Sequence, residues 1–152
     1  MPEEPARTGF EIGKDGVGSI VVGVDGSPPA VHAAAWAAGL ARRERAKLVL
    51  VYVEPLASAA YWTSIGMINA AEAANDYVAE VRQEAERSLS PYGIEWELVH
   101  HRGDPAIALE QIAAERRADC IVVGRSRHGG GLLGSVPKAL VTKAARPVVV
   151  VP

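Results

Sequence analysis

Residues 19–28 read SIVVGVDGSP, and this stretch decides the fold class. Its first six residues form a short β-branched run, which is typical of a buried strand. Asp25 and Gly26 then interrupt the run, Ser27 can cap a helix, and Pro28 suits the first turn of that helix. The stretch therefore predicts a strand that leads directly into a helix.

The same alternation continues to the end of the chain. Apolar runs at 48–53, 121–123 and 148–151 predict three more buried strands, and the apolar-acidic alternation of 94–98 predicts an edge strand with one wet face. The first helix has a predicted inner face of Ala33, Trp36, Ala37 and Leu40, and a second, long helix follows a loop or short helix at 56–68. Asp104 and Ser135 are predicted to cap the third and fourth helices. The order β-α-β-α-β-α-β-α-β indicates an α/β fold, an open, mostly parallel five-stranded sheet with helices on both faces.

Composition narrows the class of protein. The chain has 152 residues, 49% of them hydrophobic, which fits one globular domain, and the formal net charge of −2 gives no reason to expect a nucleic-acid or membrane partner. Residues 1–18, rich in glycine, proline and charge, are predicted to be a flexible N-terminal extension ahead of a domain at 19–152. With no apolar signal core, no apolar stretch of ~20 residues and a single cysteine, we expect a cytoplasmic protein.

Common catalytic and metal-binding patterns are missing from the sequence. The P-loop motif, the dinucleotide-binding glycine motif and the nucleophile elbow do not occur. His100 and His101 are neighbours on a predicted strand and would point to opposite faces, and Cys120 lies in an apolar run. We therefore predict no catalytic residue and no metal site.

Two loops follow the carboxyl ends of predicted strands, where open α/β sheets bind ligands. The first is 24–27, and the second is the glycine-rich loop 124–135, which reads GRSRHGGGLLGS. Its glycines allow close backbone approach, Ser135 lies at a helix N-terminus, and its arginines suit phosphate. A flexible connection that merely requires glycine explains the same pattern, so both interpretations stay open.

Taken together, these segments resemble the universal stress protein family. The resemblance covers nearly all of 19–152 and rests on VGVDGS at 22–27, LVYV at 50–53, GDP at 103–105, IVVG at 121–124, LGSV at 133–136 and RPVVVV at 146–151. It implies an adenine-nucleotide α-hydrolase-like fold with strand order 3-2-1-4-5. It also implies a homodimer paired through the last strand, 148–151, and apolar edge strands do need such a partner.

The resemblance further implies an adenine nucleotide, ATP with Mg²⁺, as ligand. Asp25 would lie near the ribose or base, Val53 near the adenine, and Gly124, Gly134 and Ser135 near the ribose and phosphates. The other residues assigned to this nucleotide-binding site are Gly23, Val24, Ser27, Val123, Arg127 and Val136.

The glycine loop departs from the pattern G-x-x-G-x9-G-[ST] of ATP-binding members. Arg127 replaces the second glycine, and six residues rather than nine separate it from Gly134. Arg127 could either block the site or neutralise phosphate charge. Losing a phosphate contact would cost about 1–3 kcal/mol.

Three functions follow from these observations. The first is a stress-response protein that binds ATP or a related adenine nucleotide as a sensor or switch, with at most slow hydrolysis. The second is a dimeric adaptor of the same fold that binds no nucleotide and uses Tyr61, Trp62 and Met67 as an interaction patch. The third, an α-hydrolase enzyme, requires S-G-G-x-D-S after the first strand, and the segment at 23–27 lacks the serine and the paired glycines.

Overall fold

A computed structural model describes residues 16–54, 64–125 and 134–152. The elements, in chain order, are β1 (Ser19–Val24), α1 (Pro28–Glu44), β2 (Lys47–Glu54), α2 (Ser64–Ser88), a short 3-10 turn (Ser90–Tyr92), β3 (Trp96–Arg102), α3 (Pro105–Glu115), β4 (Cys120–Gly124), α4 (Ser135–Lys143) and β5 (Val148–Val151). This order confirms the predicted alternation of strands and helices.

The five strands form one parallel sheet in the order β3-β2-β1-β4-β5, as predicted. The central strand β1 pairs with both β2 and β4, so that Val22 lies between Leu50 and Val122. Strands β2 and β3 lie on one side of β1, and strands β4 and β5 lie on the other. The carboxyl ends of β1 and β4 therefore meet at the switch point of the sheet, where this architecture leaves a crevice.

Each face of the sheet has its own core, because side chains alternate along a strand. Ile20, Val22 and Leu48 face the layer that contains α1 and α2, and they are almost wholly buried. Val21, Val49 and Ile121 face the layer that contains α3 and α4. Cys120 is a buried free thiol in the first core, and burial raises its pKa.

Two of the three predicted helix caps are confirmed. The Ser27 hydroxyl accepts a hydrogen bond from the Ala30 N–H (3.4 Å), and the Asp104 carboxylate accepts one from the Ile107 N–H (3.0 Å). The prediction for Ser135 was wrong by one residue. Gly134 has the extended backbone of a cap residue and makes no side-chain bond, so α4 already begins at Ser135.

The inner face of α1 is narrower than predicted. Its buried residues are Ala30, Ala33, Ala37 and Ala41, whereas Trp36 lies at the margin with 40% of its surface exposed. Methyl side chains let the helix backbone approach the sheet closely, and a tryptophan has no room in that layer. Helix α2 begins at Ser64, so the end of the segment 56–68, predicted as a loop or short helix, is helical. The rest of that segment lies outside the described residues.

The two edges of the sheet differ in chemistry. Strand β3 is an edge, as its apolar-acidic alternation predicted, and it begins at Trp96. The Glu97 carboxylate on this strand forms ion pairs with Arg116 (2.6 Å) and Lys47 (3.2 Å). The hydrogen bonds from Arg116, and to a smaller extent that from Lys47, lower the pKa of Glu97 to about 2. The other edge strand, β5, consists of four valines.

The predicted N-terminal extension lies largely outside the described residues, which begin at residue 16. At its end, the Gly18 N–H donates a hydrogen bond to the Asp119 carboxylate (2.7 Å). Among the described helices, none combines the length and apolar composition that a membrane span requires.

A cleft of about 400 Å³ lies between α1, α2 and the sheet. Leucines of β2 and small residues of α1 line it, with the α2 side chains Tyr77 and Val81 opposite. Such a volume in the core region marks space that larger side chains can fill.

We expect Ala34→Leu to raise the free energy of unfolding by about 1 kcal/mol, because Ala34 is only partly buried and lines this cleft. The matched change one residue away, Ala33→Leu, should lower it by about 1–3 kcal/mol, since Ala33 is fully buried against the sheet. Urea denaturation of both variants measures the difference. Equal effects of the two changes would show that the cleft is not available to side chains.

Candidate functional site

A cavity of about 260 Å³ opens at the carboxyl ends of β1 and β4, on the face covered by α3 and α4. Strand ends supply its floor, and the first residues of α1, α3 and α4 supply its walls. Its lining residues are Gly23, Val24, Asp25, Ser27, Pro29, Ala30, Val51, Val53, Pro105, Leu109, Val123, Gly124, Gly134, Ser135, Val136 and Pro137. The cavity thus lies at the switch point that the strand order creates.

Every residue assigned to the site from the sequence lines this cavity, except Arg127. Arg127 falls within 126–133, outside the described residues. The structure therefore brings four separate segments of the chain together around one volume, and their role in nucleotide binding stays a prediction.

Asp25 is held in a tight turn at the end of β1. Its Oδ1 accepts hydrogen bonds from the Ser27 N–H (2.8 Å) and from the Ser27 hydroxyl (2.5 Å). Gly26, between them, has φ of +80°, in the left-handed region that favours glycine. Both bonds end on one carboxylate oxygen, so Oδ2 can accept a hydrogen bond from a ligand in the cavity.

Gly124, at the end of β4, is required by packing. A Cβ atom at this position would lie 2.6 Å from the carbonyl carbon of Pro29 and 2.8 Å from the Ala30 nitrogen. The start of α1 therefore rests directly on the backbone of β4. This glycine closes the floor of the cavity whether or not a ligand is bound.

The N-terminus of α4 opens into the cavity without a side-chain cap. The N–H groups of Ser135 and Val136 belong to the first turn, which has no partners within the helix. Helices α1 and α3, by contrast, are capped by their own side chains. The partial positive charge of the α4 terminus is therefore directed at the cavity, where it favours an anion.

The two ends of the glycine loop are fixed side by side. The Arg125 N–H donates to the Val151 carbonyl (2.7 Å), and the Gly134 N–H donates to the Arg125 carbonyl (2.9 Å). Arg125 and Gly134, the described residues on either side of 126–133, are therefore adjacent, and Gly134 lines the cavity.

Sequence reasoning missed part of the lining. Val51 follows from the period of two along β2, because it shares a face with Val53. Pro105 is the last residue of the GDP segment at 103–105 and the first residue of α3, and Leu109 lies one turn further along that helix. Only the fold reveals Pro29 and Pro137, since they reach the cavity through the angles at which α1 and α4 meet the sheet.

Besides the Asp25 turn, a second group of polar side chains lies at the end of β2, on the face of the sheet opposite the cavity. Glu54 is 4% exposed, and its Oε2 lies 3.2 Å from His100 Nε2 and 3.4 Å from Arg102 Nε. Its Oε1 is buried without a hydrogen-bond partner in the described part of the chain. Within the described ranges, no cluster of three or more histidine, cysteine or acidic side chains is arranged to hold a metal ion.

Solved structures show the same fold with adenine nucleotides bound. One is a universal stress protein in complex with cAMP, 28% identical, with a TM-score of 0.68 and coverage of 90% of this chain and 97% of that one. Another is the universal stress protein from Archaeoglobus fulgidus in complex with dAMP, 25% identical, with a TM-score of 0.59 and coverage of 89% and 98%.

Sequence comparison gives the same family. The model of the universal stress protein family matches residues 16–152. The universal stress protein Rv2028c from Mycobacterium tuberculosis is 34% identical over 137 residues, which cover 88% of this chain and 47% of that protein. The chain thus spans about half the length of this relative. It belongs to the universal stress protein family.

Proposed function

We propose that this universal stress protein binds an adenine nucleotide in the cavity at the switch point and acts as a sensor or switch. One observation above all supports the proposal: an apolar floor meets the uncapped N-terminus of α4 in a single cavity. An apolar floor suits a base, and a helix N-terminus suits a phosphate. The cAMP and dAMP complexes of its structural neighbours point to the same ligand class.

The lining residues suggest how the ligand would lie. Val53, at the end of β2, offers an apolar surface for the adenine, and Asp25 Oδ2 can accept a hydrogen bond from a ribose hydroxyl. Ser135 and Val136 can donate their N–H groups to a phosphate. The volume of about 260 Å³ is just below the ~300–1,000 Å³ usual for ligand pockets. The base and sugar would therefore fill the cavity, with further phosphates directed outward toward the glycine loop.

Magnesium would enter with the nucleotide. Among the described residues that line the cavity, Asp25 is the only acidic one. Mg²⁺ commonly combines one or two carboxylates with substrate phosphates and waters. The protein residues alone thus do not form a metal cage, and the phosphates would provide the other ligands.

We propose binding rather than turnover. In the proposed pose Asp25 is the carboxylate nearest the ligand, with its Oδ1 engaged by Ser27 and its Oδ2 by the ribose hydroxyl. A general base needs free access to the proton that it removes. Any hydrolysis would accordingly be slow.

Calorimetric titration of the purified chain with Mg-ATP, AMP and cAMP tests this function. Mass spectrometry should first establish whether nucleotide has remained bound through purification. Saturable binding of one nucleotide per chain is the expected result. No heat of binding for any of the three at millimolar concentration would reject the proposal.

A dimeric adaptor without nucleotide is the alternative, and the exposed apolar start of α2 favours it. Ile65, Met67 and Ile68 are 73%, 45% and 59% exposed. Tyr61 and Trp62 of the predicted patch lie outside the described residues. Exposed apolar groups gathered on one short segment are typical of contact surfaces.

A homodimer through β5 is part of both proposals. The Ile121 and Arg125 N–H groups bond the carbonyls of Pro147 and Val151. Because backbone groups alternate along a strand, those of Val148 and Val150 point toward the outer edge. No other described strand pairs with this edge, so a second copy can pair with it.

We therefore expect Val150→Pro to convert the dimer to a monomer, since proline removes an outward N–H donor and leaves the pairing with β4 in place. Val150→Thr retains that donor and should remain dimeric. Sedimentation velocity of the three proteins decides the point. A dimeric Val150→Pro variant would place the interface elsewhere.

A further inference from the structure

Tyr77 of α2 lies against the back of the Asp25 turn. A Cβ atom on Gly26 would lie 3.3 Å from Tyr77 Cε2 and 3.6 Å from the phenol oxygen. The ring therefore packs directly on the one residue of the turn that has a positive φ. No feature of the sequence singled out this tyrosine.

The turn separates the cavity at the switch point from the cleft between α1 and α2. Asp25 and Ser27 line the cavity at the switch point, whereas Gly26 and Tyr77 line the cleft between α1 and α2. On the first side the turn is tied by the bonds from Ser27 to Asp25. On the other side Tyr77 supports it.

The sheet fixes the position of Tyr77. Its ring meets the Tyr52 ring edge-on, with centroids 4.7 Å apart. Tyr52 in turn stacks on His100 at 5.4 Å, and His100 contacts the buried Glu54. Aromatic pairs in such arrangements contribute about 0.5–1.5 kcal/mol beyond their burial.

The phenol stays neutral at physiological pH. Burial raises the pKa of Tyr77 to about 12, and the negative charge of Asp25 adds to the increase. The nearby Gly26 backbone offsets part of this increase in pKa. A neutral phenol beside Asp25 avoids charge repulsion, so the contact can persist while the carboxylate is ionised.

We propose that Tyr77 is a positioning residue whose ring, packed on Gly26, holds Asp25 in the orientation that a ribose hydroxyl would meet. The part that concerns the ribose rests on the proposed function, and the support of the turn does not. Through Tyr77, any displacement of α2 would reach the nucleotide site.

The first test needs no nucleotide. Amide hydrogen exchange by NMR at Ser27, whose N–H bonds Asp25, reports the order of the turn. Tyr77→Ala should speed this exchange by about fivefold or more, while Tyr77→Phe, which retains the ring, should stay within about twofold of the original protein. The control Tyr92→Ala alters an exposed tyrosine in the 3-10 turn and should have no effect. The proposal would be overturned if exchange at Ser27 were unchanged in Tyr77→Ala, or if it were accelerated equally in Tyr77→Phe.

The second test is a double-mutant cycle on Mg-ATP affinity. Tyr77→Ala should weaken binding by about tenfold, and this loss should disappear in the Asp25→Ala background, because Tyr77 acts through Asp25. Additive losses would contradict that coupling. If the original protein binds no nucleotide, the proposed function fails, and the exchange experiment alone decides whether Tyr77 positions the turn. Urea denaturation of each variant establishes that it is folded.

Discussion

Gly124→Ala is expected to lower the free energy of unfolding by about 3 kcal/mol, at the upper end of the usual cost of overpacking. The new methyl group would lie 2.6 Å from the Pro29 carbonyl carbon and 2.8 Å from the Ala30 nitrogen. Both are backbone atoms, so no side chain can rotate away, and α1 must separate from β4. Urea denaturation monitored by circular dichroism measures the change.

Gly39→Ala is the matched control for this substitution. Gly39 lies inside α1, and a Cβ atom there would meet nothing within 4 Å. Alanine should therefore stabilise the helix by about 0.5–1 kcal/mol, the usual difference from glycine. The two changes add the same methyl group and have opposite expected signs. A Gly124→Ala variant as stable as the original protein would show that β4 does not need this close contact, and would leave ligand approach as the reason for the glycine.

The sheet could be predicted because its signal is local. Runs such as 20–24 and 48–53 carry no polar side chain apart from the tyrosine hydroxyl, and short runs of this kind are typical of strands buried on both faces. The caps Ser27 and Asp104 gave two of the helix starts. Strand order, in contrast, came from the family resemblance, because the same elements can be wound in other orders.

What could not be predicted depends on contacts between distant segments. Trp36 fits a helical face in the sequence, but only the fold shows that alanines alone fit against the sheet there. Tyr77 reaches Gly26 across 51 positions of sequence (77 minus 26), and no local pattern marks such a pair. Residue types mark a strand end or a cap, whereas these neighbours are set by the angles between helices and sheet.

Gly134→Trp is expected to weaken adenine-nucleotide binding by about a hundredfold. Gly134 lines the cavity and precedes the uncapped N-terminus of α4. A large side chain there would occupy the position proposed for the sugar and phosphate and would block the Ser135 and Val136 N–H groups. Losing two such contacts at about 1–3 kcal/mol each accounts for a loss of this size. Calorimetric titration with Mg-ATP measures it.

The backbone of Gly134 makes this substitution informative. Its φ of −63° and ψ of 170° are allowed for every residue type, so tryptophan introduces no backbone strain. Gly134→Ala is the control, because a methyl group is small and cannot cap the Ser135 and Val136 N–H groups, and it should bind within about fivefold of the original protein. Undiminished affinity in Gly134→Trp would move the nucleotide away from α4. Equal loss in both variants would instead show that α4 tolerates no side chain at its cap, and the blocking argument would fail.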